Sequence, residues 1–288
     1  MPSPQNSHKA AGGPLERALQ AEDQIITIIM PAFNESAYIA DNLREVVATF
    51  ERFDCLFEVI LVDDGSPDNT YRVASEVIHE HPSIVRIVRY DENQGKGNAL
   101  MAGVAYARGA YVVFLDADMD LHPSQLPRFF EEMQAAGADA VIGSKRHPES
   151  RVKYPIIRRL YSFAYYSFVR LLFGLNLRDT QTGLKLFKRA LLDDVLPRVL
   201  SKRFAFDIEV LTIAHRLGYK IVDAPVTLDF TRPKGRLGTR QIARIFIDTL
   251  AIFYRLRLRH YYDVAHQGQD FLREGGVARE ITVPLDRV

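Results

Sequence analysis

The sequence predicts an α/β fold with a parallel, doubly wound sheet, and two observations lead to this prediction. In the first half of the chain, short apolar runs rich in β-branched residues alternate with segments whose apolar residues recur at helical spacing. Alternation of this regularity is typical of parallel sheets with helices on both faces. Four of the runs are also followed by polar, acidic or glycine-containing residues. Because open α/β sheets bind ligands beyond the carboxyl ends of their strands, these segments predict one binding edge.

The five strands predicted in this half share a continuous apolar character. The first, residues 25–30, is a β-branched run of the kind found in strands buried on both faces. The others cover residues 57–62, 84–88, 111–115 and 138–142. Helices are predicted between them, at residues 36–52, 68–81, 97–108 and 123–136. Along the first helix, the buried face is marked by Ile39, Leu43, Val46, Val47 and Phe50.

The second half of the chain changes in character. Residues 151–175 are basic and aromatic, and a polar turn follows at 179–183. Beyond it the pattern predicts a helix at 204–217, an extended segment at 219–228, a basic loop at 231–238 and an amphipathic helix at 241–262. Residues 1–24 are polar, are broken by proline and glycine, and lack the apolar run of a signal peptide, so we expect a flexible tail there.

Composition and charge narrow the class of protein. The 288 residues are 47% hydrophobic and 25% charged, which excludes wholesale disorder. The 37 basic and 36 acidic residues nearly cancel, so bulk charge gives no support to nucleic-acid binding. The single cysteine, Cys55, cannot form an internal disulfide, and no Cys/His cluster suggests zinc, which fits a reducing, cytoplasmic compartment. No uncharged apolar window is long enough to predict a transmembrane helix.

A pair of aspartates follows the strand predicted at 111–115. Asp116 and Asp118 are one residue apart, so on an extended backbone their side chains face the same side. Such a pair suits a hard divalent cation, which clamps the phosphates of a nucleotide. Asp120 continues the alternation as a third candidate ligand. Taken alone, the three residues also fit solvated turn or helix-capping acids.

Polar groups also follow the first two strands. Residues 31–35 and 63–66 lie at neighbouring strand ends, where Asn34 and the aspartates offer groups able to hydrogen-bond a base or ribose. The alternative is that Asn34 caps a helix and Asp64 belongs to a turn. After the third strand, the glycines of residues 93–98 permit close backbone approach, and Lys96 can meet a phosphate.

Taken together, five motifs carry a family resemblance that covers residues 25–262. In chain order they are PAFNE, VDDGS, NQGKGNAL, DAD and RDTQTGLKLF. They resemble the family-2 glycosyltransferases, whose GT-A fold has a mixed, mostly parallel, Rossmann-like sheet flanked by helices, here with C-terminal amphipathic helices. Within that family they look like the polyprenyl- and dolichyl-phosphate hexose synthases, including the mannose synthases. The segments RDTQTGLKLF and FAFDIEVL are most similar to the dolichyl-phosphate glucosyltransferase branch.

The resemblance implies a donor site, an acceptor site and a metal. Asp116 and Asp118 would hold Mg²⁺ or Mn²⁺ against the donor diphosphate, and Asp120 stands where many mannose synthases have glutamine. The nucleotide sugar would contact Pro31, Ala32, Asn34, Glu35, Asp63, Asp64, Gly95, Lys96, Asp116, Ala117 and either Lys145 or Arg146. The expected catalytic residues are Asp118, Arg158, Arg159, Gln181 and Asp207. The expected cations for the acceptor phosphate are Arg232, Lys234 and Arg236.

The implied reaction is transfer of a hexose, with inversion, from a nucleotide sugar to a polyprenyl or dolichyl phosphate. The glucosyl-type segments favour UDP-glucose as donor, with GDP-mannose next. A lipid monophosphate is already an anion near neutral pH, so it needs cations rather than a strong base. Two alternatives stay open. A soluble acceptor hydroxyl would need a base, for which Asp207 or Glu209 is available. A non-catalytic binding subunit would not need the intact aspartate pair.

The resemblance also suggests the chain's organisation and its partners. It divides the chain into a tail (1–24), a GT-A catalytic domain (25–238), an amphipathic helix (239–262) and a second tail (263–288). Arginines and aromatic residues on the amphipathic helix and on residues 155–175 predict peripheral contact with a membrane, on its cytoplasmic face. The alternative is that both helices cover the sheet or form the interface of a homo-oligomer.

Overall fold

A mixed sheet organises the computed structural model, which describes residues 24–152, 156–175, 177–203, 205–228, 239–263 and 279–281. Over these residues the sheet has eight strands in the spatial order β10-β3-β2-β1-β4-β7-β5-β8. They are β1 (Ile26–Ala32), β2 (Phe57–Asp63), β3 (Val85–Arg89), β4 (Tyr111–Leu115), β5 (Ala140–Ser144), β7 (Leu184–Lys188), β8 (Ile221–Pro225) and β10 (Arg279–Ile281). The short strands β6 (Arg151–Val152) and β9 (Thr227–Leu228) pair separately.

The direction of the strands corrects the purely parallel sheet that the alternating pattern predicts. Strands β3, β2, β1 and β4 are parallel neighbours, as are β5 and β8. Strand β7 is antiparallel to β4 and to β5, between which it lies, and β10 is antiparallel to β3. The mixed, mostly parallel sheet implied by the family resemblance is therefore confirmed.

Helices cover both faces of this sheet. They are α1 (Ile39–Glu51), α2 (Thr70–Glu80), α3 (Lys96–Tyr106), α4 (Leu126–Ala136), α5 (Ile156–Phe173), α6 (Arg189–Val195), α7 (Phe206–Arg216) and α8 (Thr239–Arg257). Strand β1 is buried on both sides, because Ile28 belongs to the core under α1, α2 and α4 while Ile29 belongs to the core under α3, α6 and α7. All five apolar positions predicted for the buried face of α1 are buried.

Three elements of the second half differ from the pattern-based expectation. Strand β7 and helix α6 follow the polar turn at 179–183, where no element was predicted. Helix α8 ends at Arg257 rather than at residue 262. The backbone reverses at His260, where φ is 48°, and a 3₁₀ turn at Tyr261–Asp263 returns the chain to the core. Tyr262 is buried there, with 1% of its surface exposed.

The two C-terminal helices, α5 and α8, pack against each other. The ring of Phe246 lies 5.7 Å from that of Tyr165 and 5.2 Å from that of Phe168, centroid to centroid. Ile252 joins α8 to the core beneath it and is fully buried. Over the residues described, neither helix nor any other has the length and apolar character that a membrane span requires. The tails predicted at 1–24 and 263–288 lie almost wholly outside the described residues.

Candidate active site

A cavity of about 370 Å³ opens at the carboxyl ends of β1, β2 and β4. The position agrees with the binding edge predicted from the alternating pattern, because parallel strands bring their carboxyl ends to one edge. The walls contain eight of the residues expected to bind a nucleotide sugar, namely Pro31, Ala32, Glu35, Asp64, Gly95, Lys96, Asp116 and Ala117, together with Asp118, which was expected to hold the metal. They also contain Phe33, Asn93 and Arg203, which the sequence analysis did not assign to the site.

Asn34, in the loop after β1, and Asp63, at the end of β2, lie beside the cavity and do not line it. The backbone amide of Asn34 donates to the hydroxyl oxygen of Ser66 at 3.0 Å. This bond joins the loop after β1 to the loop after β2. Asp63 is fully buried, and its Oδ1 accepts from the amide of Ser66 at 3.1 Å. Burial raises the pKa of Asp63 although Ser66 donates to it. Both expected site residues are thus bonded to Ser66 and lie outside the cavity wall.

Asp64 holds the glycine-containing loop at residues 93–97. Its carboxylate accepts from the amides of Gln94 at 2.7 Å and Gly95 at 2.9 Å, and from the side-chain nitrogen of Asn93 at 3.0 Å. Burial raises the pKa of Asp64 despite these donors. The carboxylate that was expected to face the nucleoside therefore also fixes the loop that carries Lys96.

Lys96 forms an ion pair with the first aspartate of the pair. Its Nζ lies 2.5 Å from Oδ1 of Asp116. Burial alone would lower the pKa of Lys96, but the carboxylates of Asp116, Asp207 and Asp118 together raise it above the ordinary value. The ammonium thus stays charged at neutral pH and places a fixed positive charge beside the cavity.

The aspartate pair separates this cavity from a smaller one of about 120 Å³. Asp116 and Asp118 line both, and the smaller cavity also contains Asp120, Leu121, Lys145, Gln181, Gly183 and Leu228. A Cβ atom at Gly183 would lie 2.5 Å from Oδ2 of Asp116. Any side chain at position 183 would therefore displace the carboxylate, which explains the glycine in the RDTQTGLKLF motif.

The carboxylates fit a hard cation only as a pair. Among the described residues, no three His, Cys, Asp or Glu side chains are grouped so that they could hold a metal ion. The expected three-carboxylate set of Asp116, Asp118 and Asp120 is therefore not assembled. Two carboxylates that share a cavity wall still fit Mg²⁺ or Mn²⁺, since such ions take oxygen ligands, and phosphate oxygens and water can complete the coordination shell.

Lys145 and Arg146 were alternatives for the same role, and the structure separates them. Lys145 lies in the wall of the smaller cavity. The Arg146 guanidinium stacks on the ring of Tyr166, 4.6 Å from its centroid, and donates to the carbonyl oxygen of Arg178 at 2.9 Å. Neither residue lines the larger cavity expected to hold the nucleotide sugar: Lys145 lies in the wall of the smaller cavity, and Arg146 contacts the loop that begins at Arg178.

The two acids considered as bases lie behind the cavities. Asp207 pairs with Lys185, whose Nζ is 2.9 Å from Oδ1, and both side chains are buried. Glu209 is fully buried and accepts hydrogen bonds from Leu200, Ser201, Arg255 and Tyr262. Neither residue lines either cavity. The expected acceptor cations Arg232, Lys234 and Arg236, and the side chains of Arg158 and Arg159, lie outside the described part of the chain.

Sequence comparison identifies the family to which this site belongs. The model of glycosyl transferase family 2 matches residues 27–196, which span the strands and loops that form the larger cavity except for Arg203. The chain belongs to glycosyl transferase family 2. The enzyme class expected from the five motifs, a glycosyltransferase, is confirmed.

This family 2 glycosyltransferase resembles two curated proteins along most of its length. It is 28% identical over 225 residues to a dolichyl-phosphate beta-glucosyltransferase of Saccharomyces cerevisiae, which covers 72% of this chain and 67% of that protein. It is 32% identical over 229 residues to the glycosyltransferase AglD of Haloferax volcanii, which covers 78% of this chain and 36% of AglD. The alignments thus span about two thirds of the yeast protein and about a third of AglD.

Solved structures share the fold of this family 2 glycosyltransferase. A glucosyl-3-phosphoglycerate synthase of Mycobacterium tuberculosis, in complex with Mn²⁺, UDP-glucose and phosphoglyceric acid, has a TM-score of 0.63 at 21% identity and covers 96% of this chain and 94% of its own. The mannosyltransferase PcManGT of Pyrobaculum calidifontis, in complex with GDP-Man and Mn²⁺, has a TM-score of 0.58 at 21% identity, over 87% and 67%. The GT-A fold expected from the motifs is confirmed.

Proposed function

We propose that this family 2 glycosyltransferase transfers a hexose from a nucleotide sugar to a polyprenyl or dolichyl phosphate. One observation carries the proposal: Asp116 and Asp118 form the wall between a larger cavity, with groups suited to a nucleotide, and a smaller one containing Lys145 and Gln181. The yeast relative named a dolichyl-phosphate beta-glucosyltransferase supports this acceptor and glucose as the transferred hexose, and UDP-glucose is the donor we propose first. GDP-mannose is the second candidate donor.

The larger cavity offers different groups to different parts of a nucleotide sugar. Phe33 is 43% exposed there, so its ring is free to stack on a base, and Asp64 offers carboxylate oxygens to a ribose or base. Lys96 and Arg203 bring two cations to the same cavity. Cations near a diphosphate stabilise the negative charge that develops as it leaves.

The proposed reaction depends on a divalent metal ion at the aspartate pair. Asp116 and Asp118 would hold Mg²⁺ or Mn²⁺, which would neutralise the leaving nucleoside diphosphate. Gly183 keeps room for the Asp116 carboxylate, and Lys96 orients it in the structure. The M. tuberculosis synthase was crystallised with Mn²⁺ and UDP-glucose, which supports this choice of cation.

The proposed reaction needs no general base. An oxygen of the lipid phosphate attacks the anomeric carbon, a new carbon–oxygen bond forms, and the bond to the diphosphate breaks on the opposite side. Because the phosphate is already ionised near neutral pH, no proton has to be removed from it. The burial of Asp207 with Lys185 and of Glu209 with Arg255 agrees with a reaction that does not use these acids as bases.

Peripheral contact with the cytoplasmic face of a membrane is the second part of the proposal, through a surface of α8. Four large apolar side chains at helical spacing are exposed there, Ile247, Leu250 and Tyr254 on α8 and Leu258 directly after its last residue. Arg244 and Arg257 are exposed on the same helix, Arg259 is exposed two residues beyond its end, and all three suit anionic headgroups. Arg255 differs, because it is bonded to Glu209 and is not available to lipid.

A donor screen tests the function. Purified protein is incubated with Mn²⁺ or Mg²⁺, with UDP-glucose or GDP-mannose, and with a short polyprenyl phosphate. We expect a lipid-linked hexose to form, with nucleotide release that depends on the lipid phosphate. Release that is equally fast without the lipid, or with phosphoglyceric acid in its place, would contradict the lipid acceptor. Calorimetry that detects no binding of either nucleotide sugar with Mn²⁺ present would contradict the whole proposal.

A further inference from the structure

A buried carboxylate links the end of α8 and the turn after it to the loop that leads to the larger cavity. Glu209, on α7, has a side chain with no exposed surface. Its Oε2 accepts from the amides of Leu200 at 3.1 Å and Ser201 at 2.6 Å. Its Oε1 accepts from the guanidinium of Arg255 at 2.9 Å and from the hydroxyl of Tyr262. The two carboxylate oxygens thus accept hydrogen bonds from two different parts of the chain.

On the Oε1 side, Glu209 holds the end of α8 and the turn that follows it. Arg255 lies in the last turn of the helix, and its Nε also donates to the hydroxyl oxygen of Tyr262 at 2.9 Å. Burial alone would lower the pKa of Arg255, but the carboxylate of Glu209 raises it, and burial raises that of Tyr262. The three groups therefore form a charged, hydrogen-bonded cluster inside the protein, which is costly to break at one member.

On the Oε2 side, Glu209 holds the loop that leads to Arg203. Lys202 comes directly after Ser201, and its carbonyl oxygen accepts from the amide of Asn98 in α3 at 3.2 Å. A Cβ atom at Gly95 would lie 2.5 Å from that oxygen and 2.8 Å from Cγ of Arg203. The loop is thus in close contact with the backbone that carries Lys96, and Arg203 extends from it into the cavity wall.

Arg203 acts electrostatically on the cavity. Its positive charge lowers the pKa of Asp64, against the stronger effect of burial, so the two side chains are near one another. The function proposed above requires cations beside the donor diphosphate, and Arg203 is one of the two in this wall. The position of Arg203 therefore bears on the affinity for the nucleotide.

We propose that Glu209 is a positioning residue that holds Arg203 in the donor cavity and couples the cavity to the end of α8. The inference rests on the function proposed above for the identity of the ligand. Coupling of this kind is reciprocal. The hydrogen bonds of Arg255 and Tyr262 to Glu209 favour nucleotide binding, and a bound nucleotide favours these hydrogen bonds at the end of α8. Glu209 touches no ligand in this scheme and acts through the backbone of Leu200 and Ser201.

The first test compares nucleotide affinity in matched variants of the full chain, with UDP, GDP and Mn²⁺ as the probes in calorimetry. Glu209→Gln replaces one carboxylate oxygen by an NH2 group, which cannot accept the hydrogen bonds that this oxygen now accepts. We therefore expect the Kd for the nucleotide to rise about tenfold, equivalent to about 1.4 kcal/mol. Tyr262→Phe keeps the ring in the core and removes one donor, so it provides a milder variant that folds. We expect a Kd about threefold higher for this variant.

The matched control is Asp263→Asn. Asp263 also fastens the C-terminal turn to α7, through two 2.9 Å contacts with Arg216, but neither residue is bonded to the loop at 199–203. We therefore expect Asp263→Asn to lower thermal stability at most and to leave the Kd unchanged. An equal loss of affinity in the control and in Tyr262→Phe would show that general loosening of the turn is responsible, and would overturn the proposal.

A double-mutant cycle with Arg203 separates positioning from a merely structural role. If Glu209 acts through Arg203, Tyr262→Phe and Glu209→Gln should weaken binding in wild type and have no further effect in Arg203→Ala. Additive losses would overturn the proposal. Wild-type protein that binds UDP or GDP, with variants that bind equally well, would refute this inference alone. Wild-type protein that binds neither nucleotide would refute the proposed function together with it.

Discussion

The ammonium of Lys185 and the carboxylate of Asp207 form an ion pair of 2.9 Å in the core, where 2% and 9% of the two side chains are exposed. Lys185 also donates to the carbonyl oxygen of Thr182, at the turn beside the aspartate pair. A lysine on the central antiparallel strand β7 is thus fixed to the helix α7, directly behind the two cavities.

Breaking this pair on one side should cost stability. Asp207→Asn leaves the Lys185 ammonium buried without its counter-charge, and such losses amount to about 3–5 kcal/mol. We expect urea unfolding to show a decrease of this size. The double variant Asp207→Asn with Lys185→Met removes the unpaired charge and should recover most of it. Recovery of neither stability nor a cooperative transition in the double variant would contradict this reading.

The double variant also tests the catalytic role that the sequence predicts for Asp207. When its stability has been restored, transfer should be measured at saturating donor. A fully folded double variant that transfers no sugar would support Asp207 as a catalytic residue, whereas retained transfer would assign its effect to the ion pair.

Asp118→Asn should abolish transfer and leave the fold intact. Oδ1 of Asp118 accepts from the amide of Asp120 at 3.2 Å, and an asparagine oxygen can accept the same bond. The charge in the cavity wall is nevertheless lost, so we expect transfer to fall at least about a hundredfold, in the range seen when charge stabilisation is removed from an active site. Transfer at saturating donor and the thermal midpoint are measured together.

Asp120→Asn is the matched control for this variant. Asp120 lines only the smaller cavity, and the described residues assemble no three-carboxylate set, so we expect an effect of less than about tenfold. Undiminished transfer by Asp118→Asn would remove the proposed metal from the mechanism. An equal loss in both variants would instead favour the three-ligand site that the sequence predicted.

The strands that the sequence predicts well are those made of a continuous run of apolar residues. Strands β1 and β4 are continuous apolar runs, and their bounds were predicted to within two residues at either end. Strand β7 reads LKLFK, in which a buried lysine breaks the apolar run. Its partner Asp207 lies on a helix 22 residues later, so the residues that make Lys185 a core residue are not local in sequence.

The residues of the site also differ in whether the sequence predicts them. Asp116, Asp118 and Lys96 follow predicted strands, so the rule that ligands bind at strand ends placed them together correctly. Arg203 follows no strand and reaches the cavity because the glycines at 95 and 97 let Lys202, Arg203 and Phe206 pack closely. The return of Tyr262 to the core was missed because the turn at His260 interrupts what the apolar spacing predicts as one helix.

Stability should change with pH through Asp223. Burial raises the pKa of this carboxyl group from 3.8 to about 6, although the amide of Arg178 donates to it at 3.0 Å. The folded protein therefore binds this proton more tightly than the unfolded chain, so the contribution of Asp223 to stability is greatest below pH 4 and is lost as pH rises through 6. A shift of about two pKa units corresponds to about 3 kcal/mol.

The comparison with Asp223→Asn isolates this contribution, because asparagine does not titrate. We expect the free energy of unfolding of wild type, minus that of the variant, to fall by up to about 3 kcal/mol between pH 4 and pH 7. Urea unfolding at half-unit pH intervals provides the measurement. A difference that is constant over this range would mean that the pKa of Asp223 is the same in the folded and unfolded states.

Membrane binding should depend on the exposed surface of α8 and not on Arg255. Leu250 and Tyr254 are about half exposed, on the side of the helix away from the buried Thr249 and Ile252. Leu250→Ser with Tyr254→Ser should therefore weaken binding to anionic vesicles by at least about thirtyfold, because each exposed apolar side chain contributes about 1–2 kcal/mol when it enters the interface. Arg257→Glu with Arg259→Glu should weaken the same binding, and added salt should reduce the difference. Co-sedimentation with vesicles of anionic and of neutral lipid measures both effects, with Arg72→Gln, at an exposed basic residue of α2, for comparison. Equal co-sedimentation of all variants would mean that this surface of α8 is covered by protein instead, and the oligomeric state in solution would then show whether a second copy covers it.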